Sequence, residues 1–97
     1  MHASIRRYRV RDIDTLVSKV ESEFVHQVKE IDGFVGYYVI DGGDGTAASV
    51  TVGETADAVA ESTRRAGNWV RDSAADLVHG EPEVTVGEVR VRAEREG

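Results

Sequence analysis

Apolar residues recur at helical spacing in two stretches of this chain, and both patterns predict an amphipathic helix with one buried face. The first stretch begins beside Asp12 and Asp14, either of which can cap a helix, and it ends at Asp32 and Gly33. Its stripe consists of Ile13, Leu16, Val17, Val20, Phe24, Val28 and Ile31. The second stretch follows a candidate cap at Thr55, and most of its stripe is made of small side chains. That stripe consists of Ala56, Val59, Thr63, Ala66, Val70, Ala74 and Leu77.

Four segments rich in β-branched and aromatic residues predict strands. They cover residues 3–10, 34–40, 46–52 and 83–92. Three glycines within residues 41–45 favour a hairpin turn between the second and third strands. The residues from His79 to Pro82 are assigned to a loop before the last strand. In that strand Val84 and Val86 fall on one face, whereas Val89 and Val91 fall on the other. The change of face occurs at Gly87 and predicts a β-bulge there.

The predicted elements follow the order β-α-β-β-α-β, which is typical of the split βαβ arrangement. The fold class is therefore α+β and ferredoxin-like, with a four-stranded antiparallel sheet and two helices on one face. Residues 1–97 form a single domain, and the polar residues 93–97 are expected to fray. The uncovered sheet face carries Val, Ala, Ser, Thr and Tyr, so a second copy of the chain is expected to cover it as a homodimer.

Composition narrows the classes of function. The net charge is −6, and because an acidic surface repels phosphate backbones, no nucleic-acid partner is expected. No apolar run approaches the roughly 20 residues of a membrane-spanning helix, so no membrane partner is expected. The N-terminal residues lack the apolar core of a signal peptide, and the protein is interpreted as cytoplasmic. The absence of Cys excludes disulfides, thiol nucleophiles and Cys-based metal sites.

Metal and nucleotide sites have little support in the sequence. The imidazoles are His2, His26 and His79, and no two of them have the spacing of metal ligands on one element. The loop at residues 41–45 lacks the later acidic ligand of a calcium loop. Since no glycine-rich phosphate-binding motif is present either, no metal and no cofactor is predicted.

Three residues are candidates for the wall of a ligand site, namely Arg6, Tyr38 and Trp69. One residue of each adjacent pair on a strand faces inward, so an inward Arg could meet an inward Tyr and bind an anionic or phenolic ligand. The alternative is a polar link buried at the dimer seam. Trp69 lies at the edge of its helical stripe. It is interpreted either as a flat wall for an aromatic ligand or as a boundary residue covering the helix edge.

The space beside the second helix depends on the size of the residues opposite. The small side chains of its stripe predict a small, partly open pocket where this helix crosses the sheet, with Trp69 near the rim. Large residues on the facing elements, such as Phe24, Phe34 and Tyr38, would instead close the gap.

Four segments of the chain have a recognisable residue pattern. They are Asp32 to Tyr38, Asp41 to Gly45, Ser49 to Val52 and Val84 to Val89. In these segments the chain resembles the antibiotic biosynthesis monooxygenase-like superfamily, and the resemblance extends from Ile5 to Val91. It implies a dimeric α/β barrel. The chemistry that it implies is drawn from a family of cofactor-free monooxygenases, haem degraders and isomerases.

The functional residues of this superfamily are matched only in part. Haem-degrading members use an Asn on the first strand with a Trp and a His; Trp69 and His79 are present here, but the first strand has no Asn. Quinone-forming members use an Asn, a Trp and a Tyr; here Asn68 and Trp69 are adjacent, and a helix points them in different directions. The resemblance implies binding of a small aromatic or apolar compound, or oxidation of an electron-rich phenol by O2 without a bound cofactor. The alternative is a non-catalytic structural or stress-related dimer filled by its own side chains.

Overall fold

A four-stranded antiparallel sheet forms one layer of residues 1–96, the part of the chain that the computed structural model describes. The strands are β1 His2–Val10, β2 Phe34–Asp41, β3 Thr46–Gly53 and β4 Val78–Glu88. Their order in the sheet is β2-β3-β1-β4, and all neighbouring strands are antiparallel. The hairpin turn predicted at residues 41–45 joins β2 to β3, and Asp41 belongs to β2. This topology confirms the ferredoxin-like α+β prediction.

Two helices form the second layer, against one face of the sheet. The first helix runs through α1 Ile13–Lys19, a π-helical turn Val20–Phe24 and α2 Val25–Lys29. The second helix runs through α3 Ala56–Trp69, a π-helical turn Val70–Ala74 and a 3-10 turn Ala75–Leu77. Each predicted amphipathic stretch is therefore helical along its length, but each is interrupted by one wider turn that periodicity did not predict.

Both helices begin at caps that the sequence predicts. Asp12 Oδ1 accepts a hydrogen bond from the Thr15 backbone N–H at 3.1 Å, and Thr55 Oγ1 accepts one from the Ala58 N–H at 3.1 Å. Each cap satisfies a backbone donor that the first helical turn leaves unpaired. Beyond the first helix, Gly33 has φ of +85°, a left-handed conformation that favours glycine and turns the chain toward β2.

Alternation along the strands gives the sheet an inner face, toward the helices, and an outer face. The inner face of β1 carries Ser4, Arg6, Tyr8 and Val10. The larger apolar residues of the outer face include Ile5, Tyr38, Ile40, Val50 and Val52. Tyr38 and Ile40 are 59% and 52% exposed in the single chain, so no element of residues 1–96 covers this part of the outer face.

The core lies between the inner face and the two helices. Its most completely buried side chains are Phe24, Val28 and Val59. The stripe predicted for the second helix is wrong at its start, because Ala56 is exposed whereas Ala58 is buried. Ala58 is the residue at which this helix meets the chain around Gly33 and Gly53, so docking rather than periodicity decides which alanine is covered.

The last strand begins earlier and ends earlier than predicted. It spans Val78–Glu88 rather than residues 83–92, because Val78 and His79 already pair with the end of β1. The predicted loop at residues 79–82 therefore lies within the strand. Since β4 is an edge strand, one side of its backbone needs no ladder partner, and Pro82 is tolerated there. Of the predicted tail, residues 93–96 are irregular and exposed, and Gly97 lies outside the described residues.

The β-bulge predicted at Gly87 is wrong. Gly87 pairs with β1 in an undisturbed register, and its φ is not positive. The register changes instead between Arg7 and Arg9, opposite the part of β4 that contains Gly80 with φ of +65°. The two valines that follow Gly87 lie beyond the end of β4, so the change in their parity marks the end of the strand.

The two strand glycines that pair with the start of β1 are expected to respond differently to an added methyl group. At Gly53 a Cβ would lie 3.0 Å from Ala58 Cβ and 3.2 Å from Val59 Cγ2, so Gly53→Ala should lower the free energy of unfolding by about 1–3 kcal/mol. At Gly87 a Cβ would meet no atom within 4 Å, so Gly87→Ala should change it by less than about 0.5 kcal/mol. Urea unfolding of both variants measures the difference, and equal losses would contradict the packing of the second helix on β3.

Candidate functional site

A small cavity lies between the inner face of the sheet and the two helices. Its volume is about 30 Å³. Aromatic side chains from both layers line it, namely Tyr8, Phe24, Tyr37 and Trp69. The Phe24 ring packs against two other rings, with its centroid 5.6 Å from that of Tyr37 and 5.6 Å from that of Trp69. The space is large enough for one or two water molecules and too small for an organic ligand.

Both π-helical turns adjoin this cavity. Val20 and Phe24 begin and end the turn of the first helix, and both side chains line the space. Trp69 precedes the turn of the second helix, and Val70 is its first residue; both line the same space. π-Helical turns of this kind are frequent at functional sites, because the extra residue re-aims side chains on one side of a helix.

Trp69 is held by packing and by one hydrogen bond. It is 7% exposed, and its Nε1–H donates to Glu23 Oε1 at 3.2 Å. Its position at the edge of the helical stripe predicted a wall or boundary residue, and the structure places it in the core, where it lines the cavity. Trp69 is buried because its indole packs at a tilt against the Phe24 ring of the other helix, a partner that the sequence of one helix cannot reveal.

A polar cluster adjoins the aromatic end of the cavity. Arg6 is 8% exposed; its Nε donates to the Tyr8 hydroxyl at 2.5 Å, and its Nη1 donates to the Thr63 carbonyl at 3.3 Å. The guanidinium carbon also lies 5.4 Å from the centre of the Tyr8 ring, within cation–π range. A charged group therefore lies directly beside a ring that lines the cavity.

Tyr37 has a phenol that resists ionisation. Burial is the main cause that raises its pKa to about 12, and the neighbouring Tyr8 acts in the same direction. The Ser49 hydroxyl and the Arg6 charge act in the opposite direction and are too weak to offset burial. The raised pKa indicates that this wall of the cavity strongly disfavours an extra negative charge on Tyr37.

We expect one tyrosine of the folded protein to ionise only near pH 12. Because the folded pKa of Tyr37 is raised from 10.0 to about 12, its contribution to stability is complete below pH 10. That contribution is lost as the pH rises from 10 through about 12. The absorbance of tyrosinate during an alkaline titration should show a component near pH 12, and Tyr37→Phe should remove that component. A titration in which the variant loses an early component would contradict this assignment.

The three candidate wall residues are divided between the two faces of the sheet. Arg6 and Trp69 lie on the helix side, whereas Tyr38 lies on the outer face with 59% of its surface exposed. The tyrosine of β2 that faces inward is Tyr37, so Tyr37 rather than Tyr38 could pair with an inward Arg. Both faces of β2 are rich in apolar residues, so alternation alone carried no signal to choose between the two tyrosines.

The part of the chain that the structure describes gathers no set of metal ligands. Among residues 1–96, no three His, Asp or Glu side chains are placed to hold a metal ion. His79 lies on β4, where its Nδ1 is 3.3 Å from Arg11 Nη2, and not beside Trp69 at the cavity. Within the same residues, no helix is long and apolar enough to cross a membrane.

Comparison with known proteins identifies the same fold in solved structures. No family model and no curated protein matches the chain by sequence. The monooxygenase encoded by ActVA-Orf6 of Streptomyces coelicolor, solved with nanaomycin D, is similar with a TM-score of 0.76. The two sequences are 16% identical over 98% of this chain and 92% of the other.

Two further structures extend this comparison. SnoaB, a cofactor-independent oxygenase from Streptomyces nogalater, has a TM-score of 0.72 and 15% identity over 97% of each chain. MhuD, solved with two manganese protoporphyrin IX groups per active site, has a TM-score of 0.72 and 18% identity. That match covers 98% of this chain and 100% of MhuD. The resemblance to antibiotic biosynthesis monooxygenase-type proteins is thereby confirmed at the level of the fold.

Proposed function

We propose that this chain is a small-molecule protein of the antibiotic biosynthesis monooxygenase-like superfamily, acting as a cytoplasmic homodimer that binds an aromatic compound between sheet and helices. The observation that supports it best is the cavity lined by Tyr8, Phe24, Tyr37 and Trp69 and flanked by two π-helical turns. An apolar pocket with a few convergent polar groups is the usual form of a ligand site, and Arg6 supplies such a group. Among the candidate residues, Arg6 and Trp69 would contact the ligand.

Entry of a ligand requires a rearrangement of the aromatic rings. The cavity of about 30 Å³ is far smaller than the roughly 300 Å³ or more of typical ligand pockets. We expect the Trp69 ring to move, because its Nε1–H makes one hydrogen bond and the acceptor, Glu23, is exposed. Proteins of this fold were solved with nanaomycin D and with manganese protoporphyrin IX, which supports an organic ligand for this chain.

The proposal extends to oxidation of an electron-rich phenol by O2, since SnoaB is a cofactor-independent oxygenase of this fold. In this reaction the ring carbon para to the hydroxyl loses its hydrogen and gains one oxygen atom. The hydroxyl loses its proton, the second oxygen atom leaves as water, and the phenol becomes a quinone. The protein would orient the ring and stabilise the developing anion, with no bound cofactor. Oxygen consumption with each compound that binds tests this step.

The homodimer is part of the proposal because the outer face of the sheet is apolar. Tyr38 and Ile40 are more than half exposed there, and Ile5, Val50 and Val52 extend the same surface across three strands. A self-complementary sheet face of this kind is buried most simply by a second copy related by a two-fold axis. Two sheets stacked in this way would form the dimeric α/β barrel.

The alternative function is that of a non-catalytic structural or stress-related dimer without a ligand. The small volume of the cavity favours it, because Phe24, Tyr37 and Trp69 fill the space with the chain's own side chains. In this alternative, Arg6 and Tyr8 form an internal polar link of the core.

A thermal-shift screen decides between the two functions. The compounds are aromatic acids, quinones, flavins and haem, and the fluorescence of Trp69 is recorded with each. At about 100 times its Kd, a ligand that binds the folded state adds about 2.7 kcal/mol to the free energy of unfolding. We expect a compound that raises Tm by about 10 °C or more and shifts the emission of the single Trp. If no compound changes either signal, the structural dimer is the better account.

A further inference from the structure

Arg6 is a buried cation without a buried anion. Only 8% of its surface is exposed, and no carboxylate of residues 1–96 forms an ion pair with it. The partners that it does have, the Tyr8 hydroxyl and the Thr63 carbonyl, are neutral. Removing a guanidinium from water without a counter-charge costs several kcal/mol, so the core retains this residue at the expense of stability.

The guanidinium keeps unused hydrogen-bond donors. Nε and Nη1 have partners, and Nη2 has none within residues 1–96. This nitrogen is not sealed in the core, because His2 Nδ1 is the one buried side-chain nitrogen or oxygen of those residues that lacks a partner. Each terminal nitrogen carries two N–H groups, so Nη2 and the remaining N–H of Nη1 can bind a carboxylate through two parallel hydrogen bonds.

The open side of Arg6 lies toward β4. Val84 pairs with Arg6, and Val86 pairs with Ser4, so both valines share the inner face of the sheet with them. Nevertheless Val84 is 44% exposed and Val86 is 52% exposed, because the second helix leaves this part of β4 uncovered. An apolar strip therefore leads from solvent to the guanidinium, and Tyr8 connects the guanidinium to the aromatic cavity.

We infer that Arg6, positioned by Tyr8, binds the anionic oxygen of the ligand, so that the ligand is an aromatic compound with a carboxylate or an ionised phenol. This inference rests on the proposed binding of an aromatic compound and adds its charge. Thr63 and Tyr8 hold the guanidinium on two sides and leave the third side for the anion. A bound anion would supply the missing counter-charge and would be strongly favoured in this poorly solvated place.

Two pairs of compounds of matched shape test the charge of the ligand with the unmodified protein. The first pair is 2-naphthoate and the neutral 2-naphthamide; the second is ionised 4-nitrophenolate and the neutral 4-nitroanisole. Titration calorimetry should give a Kd at least about tenfold lower for the anion of one or both pairs. A preference in the first pair identifies a carboxylate, and a preference in the second identifies a phenolate.

Two matched variants assign that preference to a residue. Arg6→Gln keeps a hydrogen-bond donor and removes the charge, so it should bring the two members of each pair to the same Kd. Arg7→Gln removes an Arg at the next position, where the side chain is exposed on the outer face, and should leave the preference intact. Circular dichroism of each variant checks that it is folded before titration.

The possible outcomes separate the inference from the function on which it rests. If neutral and anionic compounds bind the unmodified protein equally, the aromatic site stands and the anionic ligand is wrong. If no compound of either pair binds, both fail. If Arg6→Gln is folded and still binds the anions more tightly, another residue recognises the charge and the role assigned to Arg6 is wrong. If Arg6→Gln does not fold, equal binding by the unmodified protein still refutes the inference.

Discussion

Replacing Tyr38 by Asp is expected to convert a dimer into a monomer. Tyr38 is 59% exposed on the apolar outer face, and in a two-fold dimer each substitution occurs twice within one interface. An unpaired carboxylate buried between two sheets loses its hydration, so the Kd of the dimer should rise by at least about 100-fold. Sedimentation equilibrium at micromolar concentration should give twice the chain mass of 10.6 kDa for the unmodified protein and the chain mass for the variant.

Ala60→Asp is the matched control for this experiment. It adds the same carboxylate at an exposed position of the second helix, away from the outer face, and should leave the dimer intact. Circular dichroism should show that Tyr38→Asp stays folded, because its side chain takes no part in the core. A single species of 10.6 kDa for the unmodified protein, or a dimeric Tyr38→Asp, would show that the outer face is not the interface.

Replacing Phe24 by Ala is expected to produce the largest loss of stability. Phe24 is 1% exposed and its ring contacts both Tyr37 and Trp69, so its removal takes away burial and leaves a void. The free energy of unfolding should fall by about 3–5 kcal/mol, a large part of the total for a domain of this size. Urea unfolding followed by circular dichroism measures the loss.

The same variant should gain a binding site for a small aromatic molecule. The void created beside the cavity is lined by apolar groups, and voids of this kind remain dry and accept ligands such as benzene. Indole at saturating concentration should therefore recover part of the lost stability in Phe24→Ala. Val28→Ala is the control, because Val28 is fully buried but does not line the cavity. It should lose about 2 kcal/mol with no recovery by indole; recovery in both variants would mean that indole acts nonspecifically.

Local interactions explain most of what the sequence predicted correctly. The caps at Asp12 and Thr55 act within three residues of chain, and the glycines of residues 41–45 set a turn whose ends are adjacent in sequence. The stripe of the first helix has large apolar side chains, and all of its predicted residues except Val17 belong to the core or pack against it. These signals, taken in their order along the chain, were sufficient to give the ferredoxin-like fold.

Residues whose environment depends on a distant partner were predicted poorly. The start of β4 depends on the pairing of Val78 with Val10, which are separated by the whole of both helices. The burial of Trp69 depends on Phe24 of the other helix. The lack of space for a side chain at Gly53 depends on how closely Ala58 of the second helix packs against it. None of these contacts affects the spacing of apolar residues within its own segment, so periodicity could not predict them.

The candidate site shows the same division between local and tertiary information. The sequence by itself determined that one residue of each adjacent pair on β1 and β2 faces inward, and that Arg6 or Arg7 would be buried with a tyrosine. Only the tertiary structure decided that Arg6 and Tyr37 face the helices while Tyr38 faces outward. The physical reason is that both faces of β2 are apolar, so burial is favourable in either orientation. The choice is made by the ladder with β3 and by the rings of Phe24 and Trp69 that the two helices bring to one side of the sheet.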